Sequence, residues 1–100
     1  MRMMVDFMET EIKKARIEAR ALVPAVRIGK NGLTESAVAE IVKLLKKRRV
    51  LKIKMLNSFT DGNDRKKAAE ELAEKCNAWL VEQVGGIVVL LRKPAPKPKA

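Results

Sequence analysis

Ile28-Gly29-Lys30-Asn31-Gly32-Leu33-Thr34-Glu35 reads as the tight loop between a β-strand and an α-helix, and the rest of the chain is arranged around it. A β-branched run leads in and Thr34, a helix-starting residue, leads out. Glycine lacks a Cβ, so Gly29 and Gly32 permit positive φ and close approach of another backbone. The first N–H groups of the following helix have no partners within it and point back at the loop. A loop built this way suits a phosphate. The same residues also serve as a simple turn, since Asn and Gly tolerate left-handed φ for local reasons. The flanking sequence decides between the two readings.

Downstream, Thr34 is expected to cap a helix whose buried stripe is Val38, Ile41, Val42 and Leu45, widened by Leu44, with Glu40, Lys43 and Lys47 outside. It ends in Lys46-Lys47-Arg48-Arg49, a cationic end that complements the helix dipole. Four adjacent cations exceed what a C-terminus needs, which makes Lys46 and Lys47 candidates for phosphate contact. Residues 50–56 then alternate with period two, Leu51, Ile53 and Met55 on one side and Lys52 and Lys54 on the other, so one face of this strand is basic. Residues 57–64 form a polar loop in which Asp61 or Asp64 can cap a third helix burying Ala68 or Ala69, Leu72, Ala73 and Cys76. Residues 78–84 and 87–91 read as strands joined by a Gly85-Gly86 hairpin turn. The second, Ile87-Val88-Val89-Leu90-Leu91, lacks alternation and so belongs inside a sheet, while Trp79 reads as core rather than as a platform for bases.

Upstream, Met8, Ile12, Ala15, Ala19 and Leu22 recur at steps of four and three, predicting a helix over residues 5–22 that Pro24 ends. Lys13, Arg16 and Arg20 share a line on its exposed side, as a solvated face or an RNA contact. Residues 25–28 form the short strand that enters the loop, and Arg27 on it joins the candidates for RNA contact. The order is helix, strand, helix, strand, helix, strand, strand: one α/β domain over residues 1–93 with a four-stranded mixed sheet, two right-handed crossovers feeding parallel pairs, and a closing hairpin. Residues 94–100, with Pro94, Pro96, Pro98, Lys97 and Lys99, read as a disordered basic tail.

The net charge of +10, from 22 Lys and Arg against 12 Asp and Glu, favours an anionic partner. The lone Cys76 cannot form an internal disulfide and there is no His, so zinc and His-based catalysis have no residues to use. No Cys-x-x-Cys and no nucleotide-triphosphate loop ending in Lys-Ser or Lys-Thr is present, and the expectation is a protein that is not an enzyme and uses no cofactor. The N-terminal run meets Asp6 too soon for a signal peptide and no segment has the length of a membrane span, so a cytoplasmic protein with neither membrane nor small-molecule partner is expected.

Taken together, the run from Leu22 to Thr34 (Leu-Val-Pro-Ala-Val-Arg-Ile-Gly-Lys-Asn-Gly-Leu-Thr), then Glu40-Ile41, Val50-Leu51-Lys52-Ile53-Lys54, and the closing Trp79-Leu80-Val81-Glu82-Gln83-Val84-Gly85-Gly86-Ile87-Val88-Val89-Leu90-Leu91-Arg92 resemble the CRM domain, the chloroplast RNA splicing and ribosome maturation module. The resemblance implies a fold similar to the C-terminal domain of bacterial translation initiation factor three, with the Gly-x-x-Gly loop as a main RNA contact. It also implies a stand-alone member associated with precursors of the large ribosomal subunit, whose partner is ribosomal RNA or a pre-ribosomal particle. Gly29, Lys30, Asn31 and Gly32 carry that site over, with Lys52 and Lys54 from the matching strand. Two positions depart from the family pattern: Asn77 stands where a glycine is expected before the last hairpin, and Leu91 where many members have an aromatic. The contrasting expectation is a protein-interaction adaptor in ribosome assembly that meets RNA only through a partner.

Overall fold

The computed structural model describes residues 2–29, 32–56 and 64–93, with side chains from Met8 onward; Lys30, Asn31, Asp61 and the tail lie outside the described residues. Its elements run α1 (Arg2–Ala19), β1 (Val26–Ile28), α2 (Glu35–Lys47), β2 (Val50–Met55), α3 (Arg65–Lys75), β3 (Ala78–Val84) and β4 (Ile87–Arg92). The strands form one mixed sheet in the order β1-β2-β4-β3. β1 pairs parallel with β2, and β4 lies antiparallel to both β2 and β3.

The expected seven elements are all present, but only β1 and β2 make a parallel pair. After α3 the chain skips a place, and β4 returns to fill it. The reason lies in burial. Val88, Val89, Leu90 and Leu91 are all buried, so β4 requires cover on both faces and takes an interior position. β3, with Glu82, Gln83 and Val84 toward its end, is left at the edge.

Period-two alternation gives the sheet two apolar faces. Ile28, Leu51, Ile53, Met55, Val88 and Leu90 pack on one side against Ile41 and Leu45 of α2 and Ala68, Ala69, Leu72 and Ala73 of α3. Val50, Val81, Val89 and Leu91 pack on the other against Ala15 and Ala19 of α1, with Trp79 partly buried beside them. Leu91 pairs across the ladder with Trp79.

α1 differs from expectation at both ends. It begins at Arg2, and its buried stripe starts at Ile12 rather than Met8, which is 41% exposed because the helix outruns the sheet beneath it. It stops at Ala19, well before Pro24, and residues 20–22 tighten into bonds of the i→i−3 kind, such as Leu22 N–H to the Ala19 carbonyl at 3.0 Å. Lys52 accounts for this end. Its Nζ donates to the carbonyls of Ala19 (3.4 Å) and Leu22 (3.2 Å), so a strand lysine holds the helix terminus and Pro24 only prevents the helix from resuming. The other caps follow the sequence reading: Thr34 Oγ1 accepts from Ala37 N–H at 3.1 Å, and Asp64 accepts from the N–H groups of Lys66 and Lys67.

Candidate nucleic-acid interface

The C-terminal ends of β1 and β2 and the β3–β4 hairpin turn meet at one end of the sheet. Leu56 N–H donates to the Ile28 carbonyl at 2.8 Å and Met55 N–H to the Gly86 carbonyl, so three chain segments are tied together there. Gly86 permits this approach. A Cβ on it would sit 2.7 Å from the Met55 carbonyl oxygen, closer than packing allows. Its neighbour Gly85 supplies the positive φ of 56° that turns the hairpin.

The glycine loop leaves from this end. Gly32 has φ 69°, in the left-handed region that suits a glycine, and its N–H donates to the Gly29 carbonyl at 2.9 Å. Thr34 N–H then donates to the Gly32 carbonyl at 3.0 Å, and Thr34 caps α2. These bonds spend the N–H groups of Gly32 and Thr34 locally and Ala37 on the cap, and among the described residues no acceptor is recorded for the amides of Glu35 and Ser36 in the first helical turn. With the positive end of the α2 dipole behind them, they make an anion-attracting end for the loop.

Of the twelve candidate residues of the sequence reading, the ten that are described fall in three places. Gly29 and Gly32 stand at the loop with Arg27 and Lys54 beside them, exposed and directly paired across β1 and β2; Lys30 and Asn31 lie outside the described residues. Lys46 and Lys47 are exposed at the far end of α2. Lys13 and Arg20 are exposed on α1 and in the turn after it, whereas Arg16, its side chain still 43% exposed, leans over β3 with its Nε 3.8 Å from Glu82 Oε1. The structure therefore divides what looked like one basic line on α1. It also divides the basic face of β2, since Lys52 caps α1 while Lys54 stays open.

Arg92 is a residue the sequence reading gave no role. Its guanidinium donates to the carbonyls of Leu45 (3.2 Å) and Lys46 (3.0 Å), and its own N–H to the Arg49 carbonyl at 2.8 Å. The C-terminus of α2 is thus held by an arginine from β4, and Arg49 is engaged by Glu11 of α1. No ion pair among the described residues holds Lys46 or Lys47. Cys76 is buried among α3 and sheet residues, and that burial pushes its thiol pKa up, away from thiolate chemistry. No helix of the described residues is long and apolar enough to cross a membrane.

A family profile described as the CRS1 / YhbY (CRM) domain matches residues 8–92. The chain belongs to the CRM domain family. Relatives of this CRM domain include a probable RNA-binding protein of Methanocaldococcus jannaschii, 34% identical over 89% of this chain and 72% of its own length. Another, the probable RNA-binding protein YqeI of Bacillus subtilis, is 30% identical over 78% of this chain and 79% of its own. Both are named as RNA-binding proteins and not as enzymes. Among solved structures, this CRM domain is similar to a hypothetical protein of Staphylococcus aureus determined in solution, with a TM-score of 0.71 and 28% identity over 89% of this chain and 91% of that one.

Proposed function

We propose that this CRM domain binds structured RNA at the glycine-loop end of its sheet, and that its target is ribosomal RNA during maturation of the large subunit in the cytoplasm. The observation that carries the reading is the cross-strand pair of Arg27 and Lys54, both exposed, at the place where β1 runs into Gly29. Two cations held side by side by a ladder neutralise neighbouring phosphates without first ordering flexible backbone. The amides at the start of α2, which have no recorded acceptor among the described residues, add donors for a further phosphate oxygen. Only 3 aromatic residues occur in the chain and Trp79 is partly buried in the core, so phosphate and shape contacts on folded RNA fit better than a stacking platform. The names of the archaeal and bacterial relatives support RNA as the partner class.

The test is the double variant Lys30→Asp/Asn31→Asp. Two carboxylates in the loop repel phosphate and compete for the helix N–H groups, while acids near a helix N-terminus do not harm the fold. RNA binding should fall at least about tenfold, with circular dichroism and melting unchanged. Parent affinity in the folded variant removes the loop from the site. Binding of the parent protein to naked ribosomal RNA distinguishes direct contact from an adaptor role, and gradient sedimentation of cell extract identifies the particle that carries it.

A further inference from the structure

One row of the sheet's α1-side face has no element packed over it among the described residues. In register across the strands it consists of Arg27 on β1, Lys54 on β2, Ile87 on β4 and Val84 on β3. Alternation points these four away from Ile28, Met55 and Val88, which are in the core on the opposite face. Arg27 and Lys54 are exposed, Ile87 is half-buried, and Val84 is 63% exposed. The next row on the same face is occupied by α1: Lys52 reaches the carbonyls at the helix end, Val89 packs under Ala15 and Ala19, and Glu82 faces Arg16. α1 therefore stops one row short of the glycine-loop end.

A single exposed valine would be unremarked on any surface. Here its position matters, because the row is cationic on its β1–β2 half and aliphatic on its β4–β3 half. The two halves adjoin at one strand spacing, about 4.8 Å. An anionic group attached to a flat apolar one matches both halves at once, and a nucleotide has that construction.

We propose that this row seats one unpaired nucleotide of a structured RNA, with its phosphate against Arg27 and Lys54 and its base laid on Ile87 and Val84. The inference rests on the RNA-binding reading above and narrows the class of RNA to a helix that carries a bulged or junction nucleotide beside the segment held by the loop. Ile87 and Val84 offer no side-chain hydrogen-bonding groups to a base edge, so the seat accepts any base and favours a purine for its larger face. Charge complementarity selects RNA over an apolar protein surface, since the aliphatic half is only two side chains wide and the cations beside it need an anion.

The experiment compares a fully paired RNA hairpin with the same hairpin bearing one bulged adenosine, for the parent protein, for Val84→Thr/Ile87→Thr, and for Arg27→Gln/Lys54→Gln. Threonine keeps the β-branched shape, and melting curves confirm that the variants fold. The parent should prefer the bulged hairpin by about fivefold, the low end of what a base gains on an aromatic side chain and so a ceiling for an aliphatic seat. The Thr pair should lose that preference while binding the paired hairpin as before, and the Gln pair should weaken on both RNAs with a shallower salt dependence. Equal binding of the two RNAs by the parent, or an intact preference in the Thr pair, overturns the seat. Loss of a protein partner from the Thr pair with the RNA preference unchanged overturns it in favour of protein docking. If the loop variant Lys30→Asp/Asn31→Asp keeps parent affinity while the Thr pair loses the preference, the loop assignment fails and the seat stands.

Discussion

Asn77 has φ 52°, the left-handed conformation that ends many helices, and it is the first residue beyond the Cys76 cap of α3. Asparagine is among the few residues with a Cβ that visit this region readily, so the departure from glycine noted in the sequence leaves the turn intact. Asn77 N–H donates to the Glu74 carbonyl at 3.1 Å, and its Oδ1 accepts from Lys93 at 3.3 Å. Asn77→Ala should lower unfolding free energy by about 1 kcal/mol, the cost of a left-handed residue with an ordinary side chain. Asn77→Gly should stay within about 0.5 kcal/mol of the parent, because relief of strain offsets the lost contact and the freer unfolded chain. Urea midpoints measure both, and an alanine variant as stable as the parent would show that this turn carries no strain. Other roles at this scale were hidden from the sequence for a definable reason. Lys52 meets acceptors 30 and 33 residues away and Arg92 meets acceptors 46 and 47 residues away, and no local pattern encodes such a pairing.

α2 is the element on which the candidate site depends, with the glycine loop at its start and Lys46 and Lys47 at its end. Thirteen residues at about 1.5 Å each separate the two by roughly 20 Å, so they cannot hold one phosphate. Since Arg92 already serves the terminal carbonyls, the two lysines are free for a ligand. Lys46→Gln/Lys47→Gln should therefore weaken binding to many RNAs alike and reduce the slope of log affinity against log salt by about 2 or less. Unchanged affinity and slope would return these lysines to a solvated helix end. The elements themselves were legible because each carries its period: three and four in α2, two in β2, an unbroken apolar run in β4. Element pairing was less so. Nothing in the order of strands says that β4 enters between β2 and β3; that follows from which strand must be covered on both faces. The ends of α1 are not legible in the sequence because the lysine that holds one of them, Lys52, comes from a distant strand, and because the stripe continues in sequence past the edge of the sheet.

At the scale of the whole molecule, the described residues that fill the two apolar faces of the sheet run from Ile12 to Leu91. Deleting residues 94–100 should therefore shift the melting temperature by less than about 2 °C, since about 1 kcal/mol corresponds to 4–8 °C in a domain of this size. A larger drop in a thermal melt would place part of that segment in the fold. The two edges of the sheet, neither paired to another strand among the described residues, differ. β1 offers 3 residues, while β3 offers 7 but carries a bulge between Leu80 and Glu82 that turns both Val81 and Glu82 toward α1. In free solution a net charge of +10 opposes the approach of two copies. Along a polyanion that repulsion is neutralised and copies are crowded together, which is when an unpaired strand would recruit another chain. The bulged edge and the short one are the barrier to strand-by-strand self-assembly that remains once charge no longer provides it.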